Sequence, residues 1–113
     1  MLDHVQLAMP PGGEDAARRF YSGVMGLSEV VKPKPLRASG GVWFEPGIHL
    51  GVEADFRPAR KAHLGLRVGD LDGLAERLGK AGHEVVWDER WPGVRRFHTF
   101  DPFGNRLELI AAS

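Results

Sequence analysis

Asp101-Pro102-Phe103-Gly104-Asn105-Arg106-Leu107-Glu108-Leu109 joins a turn signal to the start of an alternating strand. Successive strand side chains point to opposite faces, so Leu107 and Leu109 share one face and Glu108 takes the other. Three other segments repeat this design of one potential metal donor set against an apolar stripe: Asp3-His4-Val5-Gln6-Leu7, Ile48-His49-Leu50-Gly51-Val52 and Ala62-His63-Leu64-Gly65-Leu66. Val5, Leu7 and Met9 oppose His4; Ile48, Leu50 and Val52 oppose His49; Leu64, Leu66 and Val68 oppose His63. All four donors fall on the face away from the apolar stripe, where a cavity rather than a core would be built.

The four are related by one shift. His4 and His63 lie 59 residues apart, and so do His49 and Glu108. The order and spacing of the expected elements repeat too, although the residues between them are largely different. Glu14-Asp15 suits the positive end of a helix, and Ala16, Ala17, Phe20, Tyr21, Val24 and Met25 recur at helical spacing before Gly26. Strands are expected over 28–31, closed by Lys32-Pro33-Lys34-Pro35, then over 41–45 and 48–53. Phe56 to Lys61 reads as a basic, proline-broken linker. Beyond the His63 strand, a helix from Asp70 or Asp72 carries Leu71, Leu74, Leu78 and Ala81 on one side and stops at Gly82. Strands over 83–88, 94–100 and 106–111 complete the set. The expected fold is α+β: one domain of two βαβββ modules, 1–55 and 62–113, joined by a linker at 56–61.

The bulk numbers narrow the function. Fifteen basic and fifteen acidic residues give no net field to drive binding to nucleic acid or a membrane surface. The absence of cysteine excludes a disulfide framework, a thiolate nucleophile and a Cys-type zinc site. No apolar run approaches the roughly 20 residues that span a bilayer. Met1-Leu2-Asp3-His4 lacks a basic region leading into an apolar run, so a cytoplasmic protein without a secretory signal is the expectation.

Four segments carry a resemblance: Asp3-His4-Val5, Phe20-Tyr21-x-x-Val24-Met25-Gly26-Leu27, Ala62-His63-Leu64-Gly65-Leu66 and, most specific, Asp101 to Leu109. Together they resemble the vicinal oxygen chelate superfamily, which includes glyoxalase I, fosfomycin-resistance thiol transferases, methylmalonyl-CoA epimerase, extradiol dioxygenases and bleomycin-resistance proteins. The resemblance implies paired βαβββ modules curling into an open, cupped mixed sheet, with a divalent metal on its inner wall. It places the metal positions at His4, His49, His63 and Glu108. It also implies a homodimer and a small-molecule substrate.

Imidazoles with a carboxylate make a mixed nitrogen–oxygen site suited to Zn, Ni, Fe, Co or Mn. Open positions on such a metal could take a substrate with adjacent oxygens, for lyase or isomerase chemistry, or dioxygen with a catecholate. The fourth position is a glutamate in glyoxalase I and a histidine here, a poorer movable base. Because all four potential donors are retained, glyoxalase-like metal chemistry is the first expectation; a drug-sequestering binder, a dioxygenase and a thiol transferase are the alternatives. Arg96 and His98 share parity on the penultimate strand and are candidate substrate contacts, His98 also for acid–base work. Arg57, Arg60, Lys61, Arg90, Arg95 and Arg96 could gather round an anion, although scattered solubilising charge is the favoured reading. Trp43, Trp87 and Trp91 could wall a pocket or simply pack. The glycine-rich spots lack nucleotide-loop spacing.

Overall fold

The computed structural model describes residues 1–112. The chain forms two compact units, the first ending at Pro58 and the second starting at Ala59. In the first, β1 (Val5–Met9) leads into α1 (Glu14–Ala17), and β2 (Glu29–Val30), β3 (Val42–Phe44) and β4 (Ile48–Val52) follow. The sheet order is β1-β4-β3-β2, with β1 and β4 parallel and the other pairs antiparallel. Met9, Ala17, Phe20, Tyr21, Val42, Phe44, Ile48 and Leu50 are buried as its core.

Two details depart from the sequence expectation. The helix continues from α1 as a π-helical stretch, Arg18–Val24, in which the Met25 N–H donates to the Phe20 carbonyl five residues back at 2.9 Å. Lys34–Ser39 winds into a 3₁₀ stretch where a strand-closing turn is expected.

The second unit contains β5 (Leu64–Val68), α2 (Leu71–Lys80), β6 (Val86–Trp87), β7 (Arg96–Phe100) and β8 (Arg106–Ala111). Its sheet order, β5-β8-β7-β6, repeats that of the first, again with the outer pair β5 and β8 parallel. The Asp70 carboxylate caps α2 by accepting the Gly73 N–H at 3.0 Å. Leu71, Leu74 and Leu78 are buried, and each contributes roughly 1.5–3 kcal/mol by leaving water. Ala81, expected on the same stripe, is exposed because the helix closes before it. Phe97, Leu107 and Leu109 are fully buried. Strand β6 is only two residues long, shorter than the expected 83–88.

The turn before β8 is closed by its own side chains. Asp101 Oδ1 accepts the N–H groups of Phe103 (2.9 Å) and Asn105 (2.8 Å), and Asn105 Nδ2 donates to Asp101 Oδ2 at 2.9 Å. This pins Phe100 opposite Arg106, and hence His98 opposite Glu108. Each unit therefore has the βαβββ order of an α+β fold.

Candidate metal centre

In the second unit His63 and Glu108 meet. Glu108 pairs across β5 with Gly65, which presents no side chain there, so His63 can reach the carboxylate diagonally. His63 Nε2 lies 2.8 Å from Glu108 Oε1, while His63 Nδ1 lies 3.0 Å from the Lys61 carbonyl oxygen. A carbonyl only accepts, so Nδ1 carries the hydrogen and Nε2 is the nitrogen left to bind a proton or a metal. A neutral imidazole in this tautomer would face a carboxylate oxygen with a lone pair. The pair is complete only with a positive species, a proton or a metal ion, between its members.

Glu108 is itself held. Arg96 Nη1 donates to its second oxygen, Oε2, at 3.0 Å. Burial works to raise the Glu108 pKa, but the hydrogen bonds from Arg96 and His63 outweigh it and leave the carboxyl below its usual range. Arg96 Nη2 also reaches Asp88 Oδ2 at 3.0 Å, and Asp88 takes Arg90 on both oxygens, at 2.9 and 2.6 Å. The Arg90 guanidinium drives the Asp88 pKa far below the usual carboxylate range. His98 Nε2 approaches Asp88 Oδ2 at 3.3 Å, and burial, then the nearby Arg106 charge, lower the His98 pKa. Since a carboxylate only accepts, Nε2 carries the hydrogen in neutral His98. Its Nδ1 is buried with no hydrogen-bond partner among the described residues.

In the first unit His4 and His49 meet in another way. Their rings stack at 4.3 Å with planes 15° apart, and Trp43 stacks on His49 at 3.9 Å and 3°. Trp43 lies directly opposite His49 in the β3–β4 ladder, so His49 is sandwiched between two rings. Gly47 allows the approach of the His4 segment. Its φ is +140°, and a Cβ there would fall 2.6 Å from the Asp3 carbonyl oxygen. Asp3 Oδ2 takes the Nδ1 hydrogen of His4 at 2.7 Å, leaving Nε2 with the lone pair. Imidazole lone pairs lie in the ring plane, so those of two nearly parallel stacked rings run side by side and do not converge. Burial, then His4, lower the pKa of His49.

A divalent metal fits the second-unit pair. Two donors side by side on one such ion, each about 2.1 Å from it, sit roughly 3 Å apart, as the His63 and Glu108 atoms do. The Lys61 carbonyl and Arg96 are the outer partners such ligands need. Among the described residues, no group of three histidine or carboxylate side chains stands ready to hold a metal ion.

Comparison with known proteins gives the family. The model of the glyoxalase-like domain matches residues 10–110. The chain belongs to this family. A Bacillus anthracis protein assigned to the glyoxalase family shares 44% identity and a TM-score of 0.94, covering 100% of this chain and 95% of that one. Two more distant structures share the fold. One is a mutant of the fosfomycin resistance protein FosX from Listeria monocytogenes, complexed with Mn(II) and 1S,2S-dihydroxypropylphosphonic acid (19% identity, TM-score 0.81, 100% of this chain and 92% of that one). The other is lactoylglutathione lyase from Agrobacterium tumefaciens (24%, TM-score 0.68, 96% and 92%). No curated protein matches by sequence. The chain is thus glyoxalase-like and lies within the vicinal oxygen chelate superfamily.

The remaining side chains of this glyoxalase-like chain sort by contact. Arg90 and Arg96 are matched to Asp88, and Arg95 to Asp72, so these three do not form an open anion-binding cluster. Arg57, Arg60 and Lys61 are exposed between β4 and β5. Trp87 packs its edge against Phe97, and Arg95 lies over it at 4.4 Å. No helix among the described residues is long and apolar enough to cross a membrane. Sequence reasoning missed Asp88 and Arg106. The signal for Arg106 was available: it stands two residues before Glu108 and so shares its face.

Proposed function

We propose that this chain is a glyoxalase-like metal-dependent enzyme, with lyase- or isomerase-type chemistry on a small molecule carrying adjacent oxygens. One observation carries the reading. His63 Nε2 and Glu108 Oε1 lie 2.8 Å apart, with the other nitrogen and the other oxygen already held by the Lys61 carbonyl and Arg96. When bound, Zn, Ni, Fe, Co or Mn would act there as a Lewis acid toward substrate oxygens. Arg96, occupied by two carboxylates, fixes Glu108 rather than touching substrate. His98, on the same face, contacts the substrate. Within the first unit, His4 keeps a donor nitrogen, because its Nε2 is free of the Asp3 contact and its ring is not sandwiched. His49 serves as a stacked wall. A homodimer is the proposed assembly.

A second reading has one observation in its favour. The carboxylates of Glu108 and Asp88 are each satisfied by protein cations, and no three-donor group is present among the described residues. A binder that sequesters a small molecule without chemistry fits that closed network.

Turnover separates the two. Tag-free protein loaded in turn with Mn, Ni, Zn and Fe(II) is assayed with methylglyoxal and a thiol, with fosfomycin and a thiol, and with a catechol and dioxygen. Metal-dependent turnover that vanishes in Glu108→Gln supports the enzyme. Failure to take up any of the four metals would contradict it.

A further inference from the structure

Beside the His63–Glu108 pair, on the same face of the second-unit sheet, lies a cavity of about 400 Å³, within the roughly 300–1,000 Å³ of small-molecule sites. Its floor is set by register. Val86 pairs with His98, which pairs with Glu108, and in the next row Phe100 pairs with Arg106. Side chains two apart share a face, so Val86, His98, Phe100, Arg106 and Glu108 all project the same way.

Two properties of the lining point to a ligand. Val86 and Phe100 are 44% and 39% exposed, which leaves apolar surface uncovered on the face that carries the polar groups. Arg106 is half-buried and has no ion pair among the described residues, whereas Arg90, Arg95 and Arg96 each have a carboxylate. Glu84 and Glu89 also border the cavity, but both are exposed, where water screens their charge. Asp88, the third acid there, is matched by Arg90 and Arg96. The half-buried guanidinium therefore stands to gain most from an incoming anion. Its planar fork suits a carboxylate, and a charge-assisted hydrogen bond is roughly twice as strong as a neutral one.

We infer that Arg106 anchors the carboxylate of a small organic acid whose apolar tail fills the cavity against Val86 and Phe100. Its catalytic meaning rests on the metal reading above: an acid gripped by Arg106, two residues from Glu108, would present its neighbouring oxygens to the ion. Binding itself does not need the metal.

The probes are phenylacetate and its neutral isostere phenylacetamide, titrated into protein stripped with EDTA and followed by amide NMR shifts. Phenylacetate should shift residues around 84–100 and 106 and bind at least ten-fold more tightly than phenylacetamide. Arg106→Gln should remove that preference, Arg106→Lys should keep part of it, and Phe100→Ala should weaken both probes. Equal affinity for the two probes, or a preference unchanged in Arg106→Gln with a wild-type circular dichroism spectrum, would overturn the assignment. Because no metal is present, failure here leaves the metal reading standing, and failed metal uptake leaves this site standing.

Discussion

Arg96 donates to the oxygen of Glu108 that His63 does not touch, at 3.0 Å, and so fixes which carboxylate oxygen faces the imidazole. Arg96 is 13% exposed and Glu108 8%, so water screens the contact poorly. Replacing Arg96 with Met takes the guanidinium from the buried Glu108, a loss of about 3 kcal/mol, and leaves Asp88 with Arg90 as its cation. It also frees Glu108 to rotate, which should weaken metal binding about 10- to 100-fold. Urea unfolding and metal titration check the two effects separately.

Asp88 should govern how much negative charge Glu108 keeps. It holds Arg96 through Nη2 at 3.0 Å while Glu108 takes Nη1, sharing the charge that would otherwise fall on Glu108 alone. In Asp88→Asn, Arg96 acts more fully on Glu108, and metal affinity should fall, although neither residue 88 nor residue 96 binds the ion. Charge-neutral replacement of the exposed Arg90 should not lower it. Equal loss in both variants would point to a general structural effect.

Acid should unfold the metal-free protein partly through Asp88. Arg90 holds its folded pKa well below the unfolded value of 3.8. As pH falls below about 4 the unfolded chain binds this proton first, so the stabilisation is full above that value and is lost progressively below it. Thermal melts from pH 5 to pH 2 should therefore fall more steeply for wild type than for Asp88→Asn.

His49 should behave as a wall. His49→Phe keeps the stack on Trp43, now 3.9 Å away, and removes both ring nitrogens. Its stability and metal affinity should stay near wild type, while His49→Ala should lose on the order of 1 kcal/mol from the stack alone. A ten-fold loss of metal affinity in His49→Phe would make His49 a ligand instead.

Asp101→Ala should act at a distance from the site. It removes the acceptor of the Phe103 and Asn105 N–H groups, which should cost about 2 kcal/mol. By loosening the β7–β8 register, it should also broaden the NMR signals of His98 and Glu108. Unchanged signals alongside the stability loss would confine the turn to a structural role.

Much of this architecture is legible in the sequence because it depends on alternation and local turn chemistry. Leu107 and Leu109 against Glu108 is a period-two pattern, and Asp101 to Asn105 is a turn that closes on itself, so the β7–β8 pairing follows. The meeting of His63 with Glu108 needs the parallel β5–β8 pairing, which the βαβββ order implies. Asp88 stayed hidden because its place opposite Arg96 depends on the hairpin through Trp91-Pro92-Gly93, and that connection does not dictate one register. The sandwiching of His49 depends likewise on the β3–β4 register. The π-helical winding of Arg18–Val24 has no counterpart in the residue spacing, which reads equally well as an α-helix.

The central claim is that the facing Nε2 and carboxylate oxygen take a metal ion in place of a proton. Mn(II) reports this directly, since its six-line electron paramagnetic resonance signal in solution is attenuated on binding to protein. Titrating tag-free protein at pH 7.5 should attenuate the signal saturably, with at least ten-fold weaker binding in His63→Gln and in Glu108→Gln. A signal that stays at full free-ion intensity, or attenuation identical in wild type and both variants, would contradict the account.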